Sequence, residues 1–96
     1  MHNIEIRPLA ATEIIEAYDW YESQQEGLGF DFLNELENFF GILQQNPLTF
    51  SYYSEPVRQG RINRFPYVVV FEVFGNTVIV YSVFMTKQSP DKKREY

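Results

Sequence analysis

The sequence predicts one α+β domain over residues 1–96, in which a two-helix hairpin packs on a small, mostly antiparallel sheet with the element order β-α-α-β-β-β. Two observations predict this fold. The spacing of apolar residues changes from alternation to helical periodicity and back to alternation along the chain. Glycine-containing turns, Gly27-Leu28-Gly29 and Gly75-Asn76, divide the helical part and the last two strands. A chain of 96 residues with 45% hydrophobic side chains can bury a core of its own.

The first strand covers residues 3–7, where Ile4 and Ile6 alternate with charged side chains before Pro8 closes the strand. The first helix follows from about Ala10. One stripe of this helix is apolar and consists of Ile14, Ile15, Tyr18 and Tyr21. Trp20 lies beside that stripe, and we expect its indole to cover the gap to the next helix.

The second helix is predicted from about Phe30 to Gln45, with Asp31 in the first turn, where a negative charge suits the helix dipole. Its apolar stripe is expected to face the core and consists of Phe32, Leu33, Leu36, Phe39, Phe40 and Leu43. Asn46-Pro47 ends the helix.

The loop at residues 48–56 carries three aromatic side chains that are either buried under the sheet edge or presented to a partner: Phe50, Tyr52 and Tyr53. Residues 57–64 form the next predicted strand. Phe65-Pro66 then turns the chain, because the fixed φ and missing donor of proline suit a turn better than a strand ladder. The last predicted segment, residues 89–96, is a polar tail.

The last two strands form a β-hairpin around Gly75-Asn76, where a glycine at the first central position fits a type II′ turn, with type I′ as the alternative. The expected pairs are Phe74 with Thr77, Val73 with Val78, Phe71 with Val80, Val69 with Ser82, and Tyr67 with Phe84. The face expected to meet the helices carries Tyr67, Val69, Phe71, Val73, Val78, Val80 and Phe84. The face expected to be partly open carries Val68, Val70, Glu72, Phe74, Thr77, Ile79, Tyr81 and Val83.

The composition indicates a cytoplasmic protein, because the chain has no cysteine, no signal-peptide pattern and no apolar run of the roughly 18 residues that a membrane span needs. The net charge of -5 argues against a simple nucleic-acid binder. Residues 1–55 carry ten acidic side chains and one basic one, whereas residues 56–96 carry seven basic and three acidic ones. This split fits either an ordinary solvated surface or a basic platform on the sheet for a negatively charged partner.

Several short phrases follow one another along the chain: Trp20-Tyr21-Glu22, Gly27-Leu28-Gly29, Phe32-Leu33, Glu35-Leu36, Asn46-Pro47, Val57-Arg58, Arg64-Phe65-Pro66-Tyr67, Val83-Phe84 and Ser89-Pro90. In their order and spacing the chain resembles the RelE/ParE superfamily of bacterial type II toxin-antitoxin systems, and within it the ParE-like branch of plasmid stabilisation proteins. The resemblance implies two antiparallel helices on a small sheet and an antitoxin made beside the toxin. It also implies growth arrest, either by mRNA cleavage on the ribosome or by poisoning of DNA gyrase.

The residues needed for mRNA cleavage are incomplete. Such cleavage needs a base for the ribose 2′-hydroxyl, cations for the phosphate and an acid for the leaving oxygen. Arg61-Ile62 matches an Arg-Ile step of the nuclease branch, but the glutamate of that branch has no counterpart near residues 46–49. Met85 and then Gln88 stand where many members have a histidine followed by an arginine. The one histidine, His2, lies in a terminal segment that we expect to be disordered.

The first hypothesis is therefore a toxin without enzymatic activity that binds a protein target such as DNA gyrase. Its candidate target contacts are Arg58, Arg61, Arg64, Tyr81 and Lys87. The second hypothesis is a ribosome-dependent mRNA endoribonuclease in which Arg61, Tyr81 and Lys87 act on the phosphate. The third is a degenerate, non-toxic copy that survives as half of an inert binding pair. We expect neither a cofactor nor a metal.

The resemblance also implies a cognate antitoxin. We expect this antitoxin to dock on the groove of the helix hairpin and on the rim of the sheet together, because large aromatic side chains dominate such interfaces. The candidate contacts are Trp20, Tyr52, Tyr53 and Tyr81. Without antitoxin, the same surface is expected to favour a homodimer, and no membrane contact is expected.

Overall fold

The computed structural model describes residues 1–86 and has two helices on one face of a five-stranded sheet. The helices are α1 (Pro8–Gln24) and α2 (Leu28–Gln45). The strands are β1 (Asn3–Ile6), β2 (Tyr52–Ser54), β3 (Val57–Arg61), β4 (Tyr67–Phe74) and β5 (Thr77–Met85). This arrangement confirms the predicted α+β class and helix hairpin. The tail predicted at residues 89–96, together with Lys87 and Gln88, lies outside the described residues.

The strands of the sheet follow the order β1-β5-β4-β3-β2. β1 runs parallel to β5, and the other neighbouring strands are antiparallel. β2 adds one strand to the predicted order, because Tyr52 pairs with Arg58 in a segment predicted to be a loop. β3 ends at Arg61 rather than at Arg64, because Arg64 takes a φ of 72° in the turn to β4, and a strand cannot continue through that conformation.

The turn between the helices is closed by Glu22, and it lies two residues earlier than the sequence predicts, at residues 25–27 rather than 27–29. α1 ends at Gln24, and α2 already begins at Leu28, after Gly27 with a φ of 88°. The carboxylate of Glu22 accepts hydrogen bonds from the backbone N–H groups of Gly27 and Gly29, both at 2.9 Å. These donors at the start of α2 have no acceptor within the helix, so Glu22 satisfies them and places a negative charge at the positive end of the helix dipole.

The core lies between the helices and the sheet. An aromatic cluster of Tyr21, Phe32, Phe65 and Tyr67 stands within it, with ring centroids 4.8 to 6.1 Å apart. Burial raises the pKa of the Tyr21 and Tyr67 phenols above its ordinary value. The predicted core stripe of α2 is confirmed at its four buried positions, Phe32, Leu36, Phe39 and Leu43.

The register of the β4–β5 hairpin agrees with the prediction only near the turn. Gly75 has a φ of 56°, and the predicted pairs from Phe74 with Thr77 to Phe71 with Val80 are confirmed. Tyr81 is then an additional residue in β5, a β-bulge that shifts the pairing by one. The predicted pairs of Val69 with Ser82 and of Tyr67 with Phe84 are therefore wrong, since Ser82 pairs with Val70 and Phe84 with Val68.

The bulge reverses the two faces at the end of β5. Val83, predicted on the open face, is 1% exposed and packs in the core. Phe84, predicted on the core face, pairs with Val68 on the outer face, which is the side of the sheet away from the helices. Val68 and Val70 are each 7% exposed, so this part of the outer face is less open than predicted, whereas Phe74 near the turn is half exposed.

Candidate functional site

Arg58, the first of the predicted target contacts, is held within the protein. Its Nη1 donates hydrogen bonds to the carbonyl oxygens of Phe50 at 2.6 Å and Leu48 at 3.3 Å, and its Nη2 donates to the hydroxyl of Tyr52 at 3.0 Å. The guanidinium also lies over the Tyr52 ring, 4.2 Å from the centroid. Arg58 therefore fastens the segment before β2 to β3, which is a structural role.

Arg64 lies in the turn between β3 and β4, and its guanidinium faces α2. It forms ion pairs with Asp31 at 3.6 Å and with Glu35 at 3.9 Å, and it lies 5.4 Å from the ring centroid of Phe65. These pairs neutralise part of the positive charge and fix the turn against the first half of α2. The Arg64 side chain is still 55% exposed, so the outer side of the guanidinium remains accessible.

Arg61 differs from its two neighbours because its guanidinium makes no hydrogen bond or ion pair within residues 1–86. It pairs with Val68 at the end of β3 and is exposed on the outer face. A depression of about 490 Å³ lies beside it, lined by residues 61–66, and a second of about 380 Å³ is lined by Arg61, Val68, Gln59, Gly60 and Ser51. Of the three arginines predicted as target contacts, Arg61 is therefore the one whose guanidinium has no partner among residues 1–86.

Tyr81 projects from the bulge onto the outer face and donates a hydrogen bond from its hydroxyl to Oε1 of Glu72 at 2.7 Å. This hydrogen bond raises the pKa of the Tyr81 phenol, burial and the negative charge of Glu72 raise it further, and Arg7 opposes them. A phenol with a raised pKa is a poor base near neutral pH. Glu72 lies four residues along β4 from Val68, the partner of Arg61, which corresponds to about 13 Å at the rise of a strand residue.

His2 is ordered, contrary to the prediction, and it lies far from Arg61. Its backbone N–H and its Nδ1 contact the carbonyl oxygen of Gln44 at 2.9 and 3.3 Å. His2 directly precedes β1, whose first residue, Asn3, pairs with Thr77 at the turn end of β5, whereas Arg61 is aligned with the opposite end of the sheet. The two ends are about 23 Å apart at the rise of a strand residue. The one histidine therefore cannot assist chemistry at Arg61.

The predicted antitoxin contacts lie on three different parts of the protein. Trp20 is 54% exposed on α1, which packs against β5. Tyr52 and Tyr53 are exposed on β2 at the far edge of the sheet, about 14 Å from β5 at the usual spacing of strands. Tyr81 projects from the outer face instead. The structure therefore does not bring these four aromatic residues together in one patch.

A groove between α1 and α2 is lined by apolar and aromatic residues. It has a volume of about 190 Å³ and is lined by Ile14, Ile15, Tyr18, Phe30 and Leu33. Ile15, which belongs to the predicted apolar stripe of α1, is 61% exposed, and Phe30 is 58% exposed. A stripe of four apolar residues is wider than the buried line of α1, in which Ala10 and Ala17 face the core. The apolar residues of the stripe that lie outside this buried line were the signal in the sequence for the groove.

Acidic side chains border this groove. Asp19 lies one helical turn after Ile15, and Glu37 lies one turn after Leu33, so both are on the groove side of their helices. Both carboxylates are exposed. An apolar floor with an acidic rim fits an amphipathic segment that carries apolar anchors and basic residues beside them.

Comparison with solved structures gives the same fold in toxin-antitoxin proteins. The structure is similar to a chain of the chromosomal ParDE TA system from P. aeruginosa, with a TM-score of 0.79 and 18% identity over 91% of this chain and 98% of that chain. It is also similar to the isolated E. coli RelE toxin, with a TM-score of 0.70 and 15% identity over 99% of this chain and 95% of that chain. A search among curated proteins finds no match.

The family is shown by the sequence itself. Residues 4–90 match the family model for the ParE toxin of the type II toxin-antitoxin system parDE. The chain belongs to this family of toxins, and the family pairs each toxin with an antitoxin. Within residues 1–86, neither helix is both long and apolar enough to cross a membrane.

Proposed function

We propose that this ParE-type protein is the toxin of a toxin-antitoxin module that stops growth by binding a protein target such as DNA gyrase, and that a cognate antitoxin neutralises it. The single observation that carries the proposal is the surroundings of Arg61. Two of the depressions that Arg61 lines contain no histidine, glutamate or tyrosine that could move a proton, and the one glutamate in a third, Glu35, already pairs with Arg64 at 3.9 Å. A surface with a cation and without an acid–base pair suits binding better than RNA cleavage.

Target contact is assigned first to Arg61. Arg58 and Arg64 interact with residues of the protein itself: Phe50 and Tyr52 for Arg58, Asp31 and Glu35 for Arg64. They therefore stabilise the surface around Arg61 and offer less free charge to a target than Arg61 does. Tyr81 remains a candidate contact on the same outer face. Lys87 also remains a candidate from the sequence, since it follows closely after β5.

Antitoxin contact is assigned to the groove between the helices. Phe30 and Ile15 are more than half exposed there, and apolar side chains of this size gain most from being covered by a partner. Trp20 lies one helical turn after Glu16 and Ala17, on the side of α1 toward β5 rather than toward this groove. Contact with Trp20, Tyr52, Tyr53 and Tyr81 therefore requires an antitoxin that wraps around the protein. A segment that folds on binding can span such a distance.

Expression of the gene in a bacterium without its antitoxin tests the toxin assignment. Growth should stop, with filamentous cells and a DNA-damage response, and the purified protein should inhibit gyrase supercoiling. Arg61→Ala should remove both effects, while Arg7→Ala, at a surface arginine directly after β1 and three strand positions from β3, should keep them. Healthy colonies at confirmed soluble expression of the wild type would contradict the proposal and favour the degenerate copy.

A second candidate function is mRNA cleavage on the ribosome, and it is favoured by one observation. Arg61 and Tyr81 share the outer face of the sheet, where a bound RNA strand could reach both. We rank it second because general acid–base catalysis contributes about 10²- to 10⁴-fold in rate, and the hydroxyl of Tyr81 is already engaged as a hydrogen-bond donor to Glu72. Ribosome-bound mRNA left intact by antitoxin-free protein would rule it out, whereas cleavage that Arg61→Ala abolishes would place it first.

Binding of the antitoxin, encoded in the adjacent reading frame, tests the groove. Phe30→Asp should weaken antitoxin binding by more than tenfold, because it places a charge on the apolar floor. Leu48→Asp is the matched control, since Leu48 is 61% exposed and lies on the 3₁₀ helix Pro47–Thr49 outside the groove. Trp20→Ala and Tyr81→Ala test the rest of the surface. Sedimentation of the free protein should show a homodimer that Phe30→Asp dissociates.

A further inference from the structure

The edge of β5 is open along its second half. β1 covers β5 only as far as the pair of Ile6 with Val80, and the last hydrogen bond between these strands joins the N–H of Arg7 to the carbonyl oxygen of Val80. β5 continues to Met85, and no other strand of residues 1–86 lies on that side. An uncovered strand edge presents backbone groups that can pair with another chain.

The backbone of Val83 shows which groups point to the open edge. Its N–H donates to Oε1 of Glu13 on α1 at 2.8 Å, so it does not bind β4. Because backbone groups alternate along a strand, Met85 presents its N–H and C=O to the same side. Ser82 also donates its hydroxyl to Oε1 of Glu13 at 2.8 Å. The Glu13 carboxylate thus accepts the hydrogen bond from Val83 that a neighbouring strand would otherwise accept.

A groove of about 220 Å³ lies along this edge, between α1 and β5. Glu13, Glu16 and Ala17 line it from the helix, and Val83, Phe84, Met85 and Tyr67 line it from the sheet. Glu16 is exposed, and Met85 is 40% exposed. The groove therefore combines apolar walls, two carboxylates and an unpaired strand edge.

We propose that this edge binds an extended segment of a partner protein that carries a lysine or arginine. The segment adds a strand beside Val83 and Met85, and one of its carbonyl oxygens takes over the N–H of Val83. Glu13 is then released from that N–H and pairs with the cationic side chain, while the methylene stem of this side chain packs on Ala17 and Tyr67. Every polar group that loses a partner gains another.

The charge on the groove selects the kind of segment. An acidic segment would place its carboxylate beside Glu13 and Glu16, and like charges at this distance repel. A segment without charge would leave the released Glu13 carboxylate unpaired next to the apolar wall. The edge is separate from the groove between α1 and α2, and the inference does not depend on the proposed function.

Nuclear magnetic resonance of the full chain tests this inference with a blocked peptide of the sequence Thr-Val-Lys-Val-Thr. The amide signals of Val83 and Met85 should shift on titration, and the amide of Met85 should exchange more slowly with solvent. The same peptide with glutamate in place of lysine should bind about tenfold more weakly, given the small energy of each exposed ion pair. N-methylation of the backbone beside the lysine should abolish binding.

Glu13→Gln is the informative variant, because the glutamine oxygen can still accept the hydrogen bond from Val83 while the charge is lost. It should reduce the preference for the lysine peptide about threefold, whereas Glu26→Gln, at an exposed position in the turn between the helices, should leave the preference unchanged. Equal binding of the lysine and glutamate peptides would overturn the inference. So would peptide shifts confined to the groove between the helices, or a Met85 amide that is already protected in the protein without peptide.

Discussion

The hydroxyl of Tyr81 donates a hydrogen bond of 2.7 Å to Oε1 of Glu72, across the outer face from β5 to β4. Tyr81 is the additional residue of the β-bulge, and Glu72 pairs with Ile79 just before it. The hydrogen bond therefore holds the bulged residue against the neighbouring strand at the point where the register changes. The same bulge turns the side chain of Val83 into the core and directs its N–H to the edge of β5 that β1 leaves uncovered.

We expect the phenol of Tyr81 to titrate above its ordinary pKa of 10.0, because the hydrogen bond to Glu72 and burial stabilise the protonated form. Glu72→Gln should lower this pKa, since it removes the negative charge and weakens the acceptor. A pH titration of the ring carbon signals by nuclear magnetic resonance measures the change. Glu37→Gln on α2 should not move the Tyr81 signal, and an unchanged pKa in Glu72→Gln would contradict the assigned cause.

The raised pKa also predicts the pH dependence of stability. Tyr81 binds its proton more tightly in the folded than in the unfolded chain, so its contribution to the free energy of unfolding is complete below pH 10 and is lost as the pH rises through the folded pKa. Tyr21 and Tyr67 act in the same direction because both are raised by burial. Urea denaturation should therefore show falling stability above about pH 10. Tyr81→Phe should make the fall shallower.

Gly29 is required for the close approach of the two helices. A Cβ at this position would lie 2.7 Å from Cδ1 of Tyr18 and 2.8 Å from its carbonyl oxygen, and the backbone oxygen cannot move away freely. Gly29→Ala should lower the free energy of unfolding by about 1–3 kcal/mol. Gly41→Ala on the same helix is the matched control, since its Cβ meets nothing within 4 Å, and it should stabilise by about 0.5–1 kcal/mol.

Glu22 should matter for stability although it is partly exposed. Glu22→Ala removes the acceptor for the N–H groups of Gly27 and Gly29 and should cost about 1 kcal/mol, as the loss of a helix N-cap does. Glu22→Gln should cost less, because the amide oxygen still accepts one of these hydrogen bonds. Glu26→Ala, at an exposed position in the same turn, provides the control in urea denaturation. Equal stability of Glu22→Ala and Glu26→Ala would contradict the capping role.

The element order and the hairpin near Gly75 could be predicted because they depend on local patterns. Apolar spacing distinguishes helix from strand, and a glycine at a two-residue loop fixes the register beside it. The bulge could not be predicted, because nothing in Val78-Ile79-Val80-Tyr81-Ser82-Val83 marks one residue as additional. Its consequence was large, since a shift of one residue moved Val83 and Phe84 to opposite faces.

The candidate site was predictable by residue type but not by role. Arg58, Arg61 and Arg64 look alike in the sequence, as three arginines within seven residues. Their roles depend on partners from elsewhere in the chain: carbonyl groups near β2 for Arg58, and carboxylates on α2 for Arg64. Such contacts follow from tertiary packing, which single-residue patterns do not encode.

Comparison of Arg58→Ala with Arg61→Ala should separate structure from function. Arg58→Ala removes the hydrogen bonds to Leu48 and Phe50 and leaves a carbonyl oxygen without its charged donor, so it should lower the free energy of unfolding by about 1–2 kcal/mol. Arg61→Ala removes a guanidinium without partners in residues 1–86 and should change stability by less than about 0.5 kcal/mol. Growth arrest should nevertheless be lost in Arg61→Ala at normal soluble levels. Arg58→Lys should not restore stability, because an ammonium group cannot reach both carbonyl oxygens and stack on Tyr52. If Arg61→Ala arrests growth as strongly as the wild type, the target contact lies elsewhere on the outer face.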